Sequence, residues 1–151
     1  MMDLAIKKAR KTMKKNYGGP FGAVVVKDGE VISISSNTVL KDNDATAHAE
    51  INAIRNAGKK LKTFDLNGCE IYTTSFPCPM CLSAIIWSNI KKVYVGANTK
   101  DVENIGFRDG YIYKLINNDL IDKTILKIEE IDRDKCLALL KEYKDNNKNV
   151  Y

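Results

Sequence analysis

The run "CEIYTTSFPCPMCLSAIIWSN" (Cys69–Asn89) decides how this chain folds. Cys69–Ser75 is rich in β-branched and aromatic residues and reads as a strand. From Pro79 the pattern turns helical, and proline suits a first helical position because its missing N–H would lack a partner there anyway. At the junction stand two cysteines three apart, Cys78 and Cys81. A CxxC in that place is a redox pair, half of a zinc site, or chance. A thioredoxin-type pair needs one easily attacked thiol, which the sequence does not exclude.

Working outward, "TAHAEI" (Thr46–Ile51) carries the only histidine, His48, with Glu50 two residues on. Ala45–Ala57 has helical spacing, with Thr46 as its N-cap and Gly58 closing it. Asp3–Lys15 is an amphipathic helix that "NYGGP" stops. "FGAVVVKDGEVISISSN" reads as a hairpin around Asp28-Gly29. "KKVYVGA" gives a fourth strand, "TILKIEEI" (Thr124–Ile131) a fifth, and Asp132–Asp145 a last amphipathic helix. The segment between the last two strands is irregular. Helices alternating with strands predict an α/β fold, a mixed sheet covered on both faces. No repeat or linker interrupts residues 1–151, so a single domain is expected.

Bulk properties agree. A chain of 151 residues is long enough to bury a core. No apolar run approaches a membrane span, and the lysine-dotted start does not read as a signal peptide. A cytoplasmic protein is expected, whose four cysteines are free, metal-bound or catalytic. The net charge of +5 comes from lysines scattered among acids. They read as solvated faces better than as a nucleic-acid surface.

Two helices starting at one sheet edge can aim their N-termini at a common spot, where the helix dipole favours thiolates. His48, Cys78 and Cys81 would then give Zn²⁺ three ligands and leave the open position of a catalytic site. Such an ion lowers the pKa of bound water towards ~7. Glu50 is placed to move the proton. Alone, His48 reads as an ordinary residue near a helix start and Glu50 as a helix-dipole carboxylate. Together, "HAE" and "PCPMC" with a strand between are far more specific.

At these residues the chain resembles the cytidine-deaminase-like superfamily of zinc-dependent deaminases. The resemblance runs from "GGPFGAVVV" through the last helix. It implies a three-layer α/β/α sandwich on a five-stranded mixed sheet, and hydrolytic removal of an exocyclic amine. "GGPFGAV", "GFRDGYIYKLI" (Gly106–Ile116) and the terminal "NKNVY" resemble the bacterial guanine deaminases within that superfamily. That likeness implies conversion of guanine to xanthine and ammonia in purine catabolism or salvage. It also implies a homodimer whose C-terminal segments are exchanged. Carried onto matching positions, it makes Glu50 catalytic and His48, Cys78 and Cys81 the zinc ligands. Asn37, Asp109, Phe21, Ala49 and Tyr151 become substrate contacts, with Tyr151 reaching in from the neighbouring subunit.

Guanine sets a ring N–H beside a 2-amino group, a donor pair that a carboxylate such as Asp109 accepts together. Asn37 offers a donor and an acceptor for other purine edges. Gly22 would let backbone approach the pocket closely. On composition alone Asp109 and Asn37 are turn residues, and Phe21 and Trp87 are core. Phe76 departs from the glutamate usual before the first Pro-Cys. Cys69 and Cys136 are expected to be small buried apolar residues. Whether Glu129 or Glu130 reaches the site is open. Competing readings are a tRNA adenosine deaminase, with the same metal site but a basic mouth, another nucleobase deaminase, and a zinc module without catalysis. The last would usually need a fourth protein ligand.

Overall fold

A computed structural model describes residues 1–146. They form two compact units, residues 1–113 and the chain from Lys114 onward.

The first unit is built on strands β1 (Gly22–Lys27), β2 (Glu30–Ser36), β3 (Cys69–Ser75) and β4 (Lys92–Ala97), in the order β2-β1-β3-β4. β1 pairs antiparallel with both β2 and β3, while β3 and β4 run parallel. The hairpin turns on Asp28 and Gly29, both at positive φ (50° and 79°). That twist suits a two-residue loop. β1 is apolar on both sides because both sides are covered. Ala23 and Val25 join Ala49, Ala53 and Ala57 of α3 (Ala49–Leu61), together with Ile85 of α4 (Pro79–Trp87). Val24 and Val26 pack on the other face with Ala5 of α1 (Met2–Met13). Gly22 lies against the backbone of Ala5, where a Cβ would stand 2.1 Å from its carbonyl oxygen. Its closeness serves helix–sheet packing; the pocket is lined elsewhere.

The sheet has four strands among the described residues, not five. Thr124–Ile131 is irregular and exposed. Its isoleucines, 125, 128 and 131, recur every third residue, so neither face of a strand would be consistently apolar. Asp122 instead accepts from the amide and hydroxyl of Thr124, at 2.9 and 2.6 Å, and fixes a turn at its start.

α3 also starts later and ends later than expected. Thr46 does not cap it, because the Thr46 amide and hydroxyl both donate to Asp44 Oδ1 at 2.7 Å. His48 takes the N-cap position in extended conformation, and the helix runs through Gly58 to a left-handed Lys62. A four-residue helix, α2 (Val39–Asp42), leads into the loop before it. α5 (Thr99–Asn104) opens on a capping box between Asn98 and Asp101. α6 (Gly110–Asn117) follows.

In the second unit, α7 (Arg133–Asp145) buries none of its residues within this chain. Cys136 is therefore exposed, contrary to expectation, while Cys69 is buried in the core. Glu129 and Glu130 pair locally with Lys127 (2.9 Å) and Arg133 (3.5 Å). Among the described residues no helix is long and apolar enough to cross a membrane.

Candidate active site

Two helix starts meet at the carboxyl end of β3. His48 is the N-cap of α3 and Cys78 the N-cap of α4, both extended, with Pro79 opening α4. One turn on, Cys81 comes back to the same spot. His48 Nδ1 lies 3.6 Å from Cys78 Sγ and 3.6 Å from Cys81 Sγ. Tetrahedral zinc, with its usual bonds to sulfur and imidazole nitrogen, would set such atoms about 3.5–3.6 Å apart. The donor set therefore fits Zn²⁺, and among the described residues it is the one His/Cys/Asp/Glu group arranged to hold a metal ion.

The electrostatics point the same way. The Cys78 thiol is pulled down to about 4, chiefly by the hydrogen bond it receives from Cys81, with His48 adding to the effect. Cys81, the donor, is pushed up by the same contact and by burial. The imidazole of His48 is raised, mainly by Cys78. A divalent cation binding there takes both sulfurs as thiolates and releases any proton they carry.

Glu50 lies in the first turn of α3 with only 4 % of its surface exposed. Burial raises its pKa. Thr73 Oγ1 donates to Glu50 Oε1 at 2.9 Å, and the Cys81 thiol lies 3.4 Å from Oε2. Thr73 was not legible as a site residue. Its one signal is a hydroxyl on the inward face of β3, between Ile71 and Ser75.

A cavity of about 340 Å³ opens on this cluster. His48, Glu50 and Cys78 line it, as do Asn37, Phe21 and Asp109. Asn37 Oδ1 accepts from the amides of Gly19 and Val39, both at 3.2 Å. That oxygen is spent on the loop, leaving the amide nitrogen as the pocket-facing donor. Gly18 is required beside it, since a Cβ there would stand 2.2 Å from Asn37 Oδ1. Phe21 meets Phe107 edge to face at 4.9 Å, and both line the cavity. In the sequence Phe107 is a loop aromatic with no spacing that marks it. Burial raises the pKa of Asp109 first, and the charge on Cys78 adds to it. Four residues on, Tyr113 donates its hydroxyl to the Pro77 carbonyl at 2.9 Å, next to the ligand Cys78.

The other expected residues lie differently. The Ala49 side chain is fully buried in the core and does not line the cavity. Trp87 is 77 % exposed, so it belongs to neither core nor pocket. Phe76 lines the cavity wall. Tyr151 lies outside the described residues.

Residues 1–97 match the family described as the cytidine and deoxycytidylate deaminase zinc-binding region. Guanine deaminase of Bacillus subtilis (strain 168) is 46% identical over 121 residues, covering 80% of this chain and 78% of that protein. A tRNA-specific adenosine deaminase of Buchnera aphidicola subsp. Schizaphis graminum is 36% identical over 136 residues, covering 89% and 86%. The X-ray structure of guanine deaminase from Bacillus subtilis superposes with a TM-score of 0.90 at 37% identity, over 99% of this chain and 96% of that one.

Proposed function

Since the chain belongs to the cytidine and deoxycytidylate deaminase zinc-binding family, a hydrolase family acting on C–N bonds, we propose that its substrate is guanine, converted to xanthine and ammonia. The observation that carries this reading is a carboxylate, Asp109, lining the same cavity as His48, Glu50 and Cys78. It can accept guanine's ring N–H and 2-amino group together. Adenine lacks that donor pair and would leave the carboxylate poorly satisfied, at about 1–3 kcal/mol. A cavity of about 340 Å³ is near the small end of the ~300–1,000 Å³ range of ligand sites. That size suits a free base.

His48, Cys78 and Cys81 would hold Zn²⁺, which would supply a water of lowered pKa at its open position. The chain does the rest. Phe21 and Phe107 give the base apolar walls, Asn37 offers an N–H, and Asp109 fixes the edge. Glu50 takes one proton from water as oxygen bonds to carbon 2, and passes it to a ring nitrogen. The second water proton, now on the oxygen at carbon 2, goes to the amine as the carbon–nitrogen bond breaks and that oxygen becomes the new carbonyl. Thr73 holds Glu50 throughout.

The protein acts as a homodimer in this reading. α4 is apolar nearly all round, yet Ile86 and Trp87 stand exposed, as on a face awaiting a second copy. Exchange of the C-terminal segments belongs to the same proposal. Four unpaired cysteines support a cytoplasmic setting.

The likeness to tRNA-specific adenosine deaminases supports a second reading, adenosine to inosine within RNA. One substrate panel separates the two: guanine, adenine, their nucleosides and an anticodon hairpin, assayed side by side. Turnover of guanine alone is expected. Conversion of the hairpin with guanine untouched would replace the first reading by the second.

A further inference from the structure

Behind the wall of the active-site cavity lies a second, larger one of about 450 Å³. Its lining includes Lys8 and Lys11 of α1, Lys15 of the turn after it, and Lys41 of α2. Lys8 and Lys11 stand at i and i+3 and so share one face of α1, and Lys15 follows just past its end. None of them has a carboxylate within ion-pair distance among the described residues. The cavity's single acid, Asp42, is held by Lys41 at 3.3 Å. Two of the ammonium groups, Lys15 and Lys41, lie 5.6 and 5.8 Å from the centre of the Tyr17 ring. The lining is polar: buried Thr12 and Ser36 share a 2.6 Å hydrogen bond, and exposed Asn56 donates to buried Ser35 at 3.0 Å.

Like charges on one helix face repel, and here they surround a concave, donor-rich space. We propose that this cavity binds a small polyphosphate ligand, of the nucleoside di- or triphosphate class, through Lys8, Lys11, Lys15 and Lys41. A single phosphate is too short for it. Lys8 and Lys11 lie about 4.5 Å apart along the axis of α1 with Lys15 beyond its end, a spread that two or three linked phosphoryl groups bridge.

The site backs directly onto the active-site wall. Tyr17, Thr38 and Lys41 line the basic cavity, while their neighbours Gly18, Asn37 and Val39 line the other. The two strips are joined where the Lys41 amide donates to the Tyr17 carbonyl at 3.0 Å. A polyphosphate gripping Lys41 stiffens that wall and alters substrate affinity. The binding claim is independent of which base is turned over; only the coupling rests on the reading of the active cavity.

The test is calorimetric titration of the zinc-loaded full chain with inorganic pyrophosphate, and in a second arm with a nucleoside diphosphate, at fixed ionic strength. Saturable one-to-one binding is expected, weakened at least about tenfold in K8Q/K11Q/K15Q. It should survive in K59Q/K62Q/K91Q, which removes the same charge elsewhere, and thermal melts of both variants establish that they fold. Tighter binding of the nucleoside diphosphate than of pyrophosphate marks the nucleotide as the occupant; equal binding marks the phosphates as sufficient. Absence of saturable binding, or equal loss in both variants, overturns the site. So does binding of a single-stranded RNA oligonucleotide that is lost in K8Q/K11Q/K15Q while pyrophosphate binds nowhere, which would make this face a polynucleotide surface. Saturating pyrophosphate is expected to shift KM for the base without changing kcat, and binding with KM unmoved overturns the coupling.

Discussion

Thr73 Oγ1 donates to Glu50 Oε1 across 2.9 Å, inside a site from which the carboxylate is almost wholly shielded. A shuttle must present the same oxygen to water and then to substrate, and this contact fixes its plane. Hydrogen bonds to charged groups contribute about 1.5–3 kcal/mol. Thr73→Val, which keeps the shape, should therefore lower kcat about 10- to 100-fold with KM and zinc content little changed. An unaltered kcat would show that α3 alone orients Glu50.

Replacing the shuttle itself goes further. Glu50→Gln keeps the size and one acceptor but cannot take the proton, and general acid–base groups contribute about 10²–10⁴-fold. Turnover should fall by at least that range while metal analysis still finds one zinc per chain. Retained activity would remove Glu50 from the proton path.

The grouping of His48, Cys78 and Cys81 was legible because chemistry and local structure write the same letters there. Cys78 and Pro79 are both a helix start and a ligand turn, and the one histidine has few rival roles. Contacts set by tertiary approach were not legible. Thr73 reads as an ordinary strand residue, and only the packing of β3 under α3 turns its hydroxyl to Glu50. Phe107 reads as a loop aromatic until it meets Phe21. The fifth strand failed for a related reason: Thr124–Ile131 has strand-forming residues but no period of two, and propensity without a paired neighbour makes no ladder.

His48 Nδ1 and the two sulfurs stand at the spacing of a tetrahedral ion, so metal binding should be linked to folding. Cys81→Ala should lose stoichiometric zinc and all turnover. In the native chain a chelator should lower Tm. A ligand at a thousandfold excess over its Kd stabilises by about 4 kcal/mol, a shift that scanning calorimetry reads easily. A chelated protein melting where the loaded one does would contradict this coupling.

The guanine-binding role proposed for Asp109 ties pH to substrate choice. Burial, the first cause, raises its pKa above the ordinary carboxylate value. Guanine binding needs the ionised acceptor, so kcat/KM for guanine should fall as pH drops through that raised value, on an acid limb lying above the usual carboxylate range. For stability the sign is opposite. A raised folded-state pKa favours the protonated form, so its contribution is present at low pH and lost as pH rises through the folded value. Asp109→Asn should therefore melt no lower than the native chain at neutral pH while losing guanine turnover about tenfold or more. The pH-rate profile and melting curves of the two proteins together decide it.

Tyr113 connects the two halves of the chemistry. Its hydroxyl holds the Pro77 carbonyl at 2.9 Å, beside Cys78, and its amide lies 3.4 Å from the Asp109 carbonyl. One residue thus links the Asp109 backbone, through its amide, to the turn before Cys78, through its hydroxyl. Tyr113→Phe removes one hydrogen bond of about 0.5–1.5 kcal/mol and preserves the ring. If Tyr113 positions Asp109, KM for guanine should rise several-fold with kcat, zinc content and Tm nearly constant. A purely structural brace would lower Tm and leave KM where it was, and a brace on the ligand turn alone would show first as weaker zinc retention under chelator challenge.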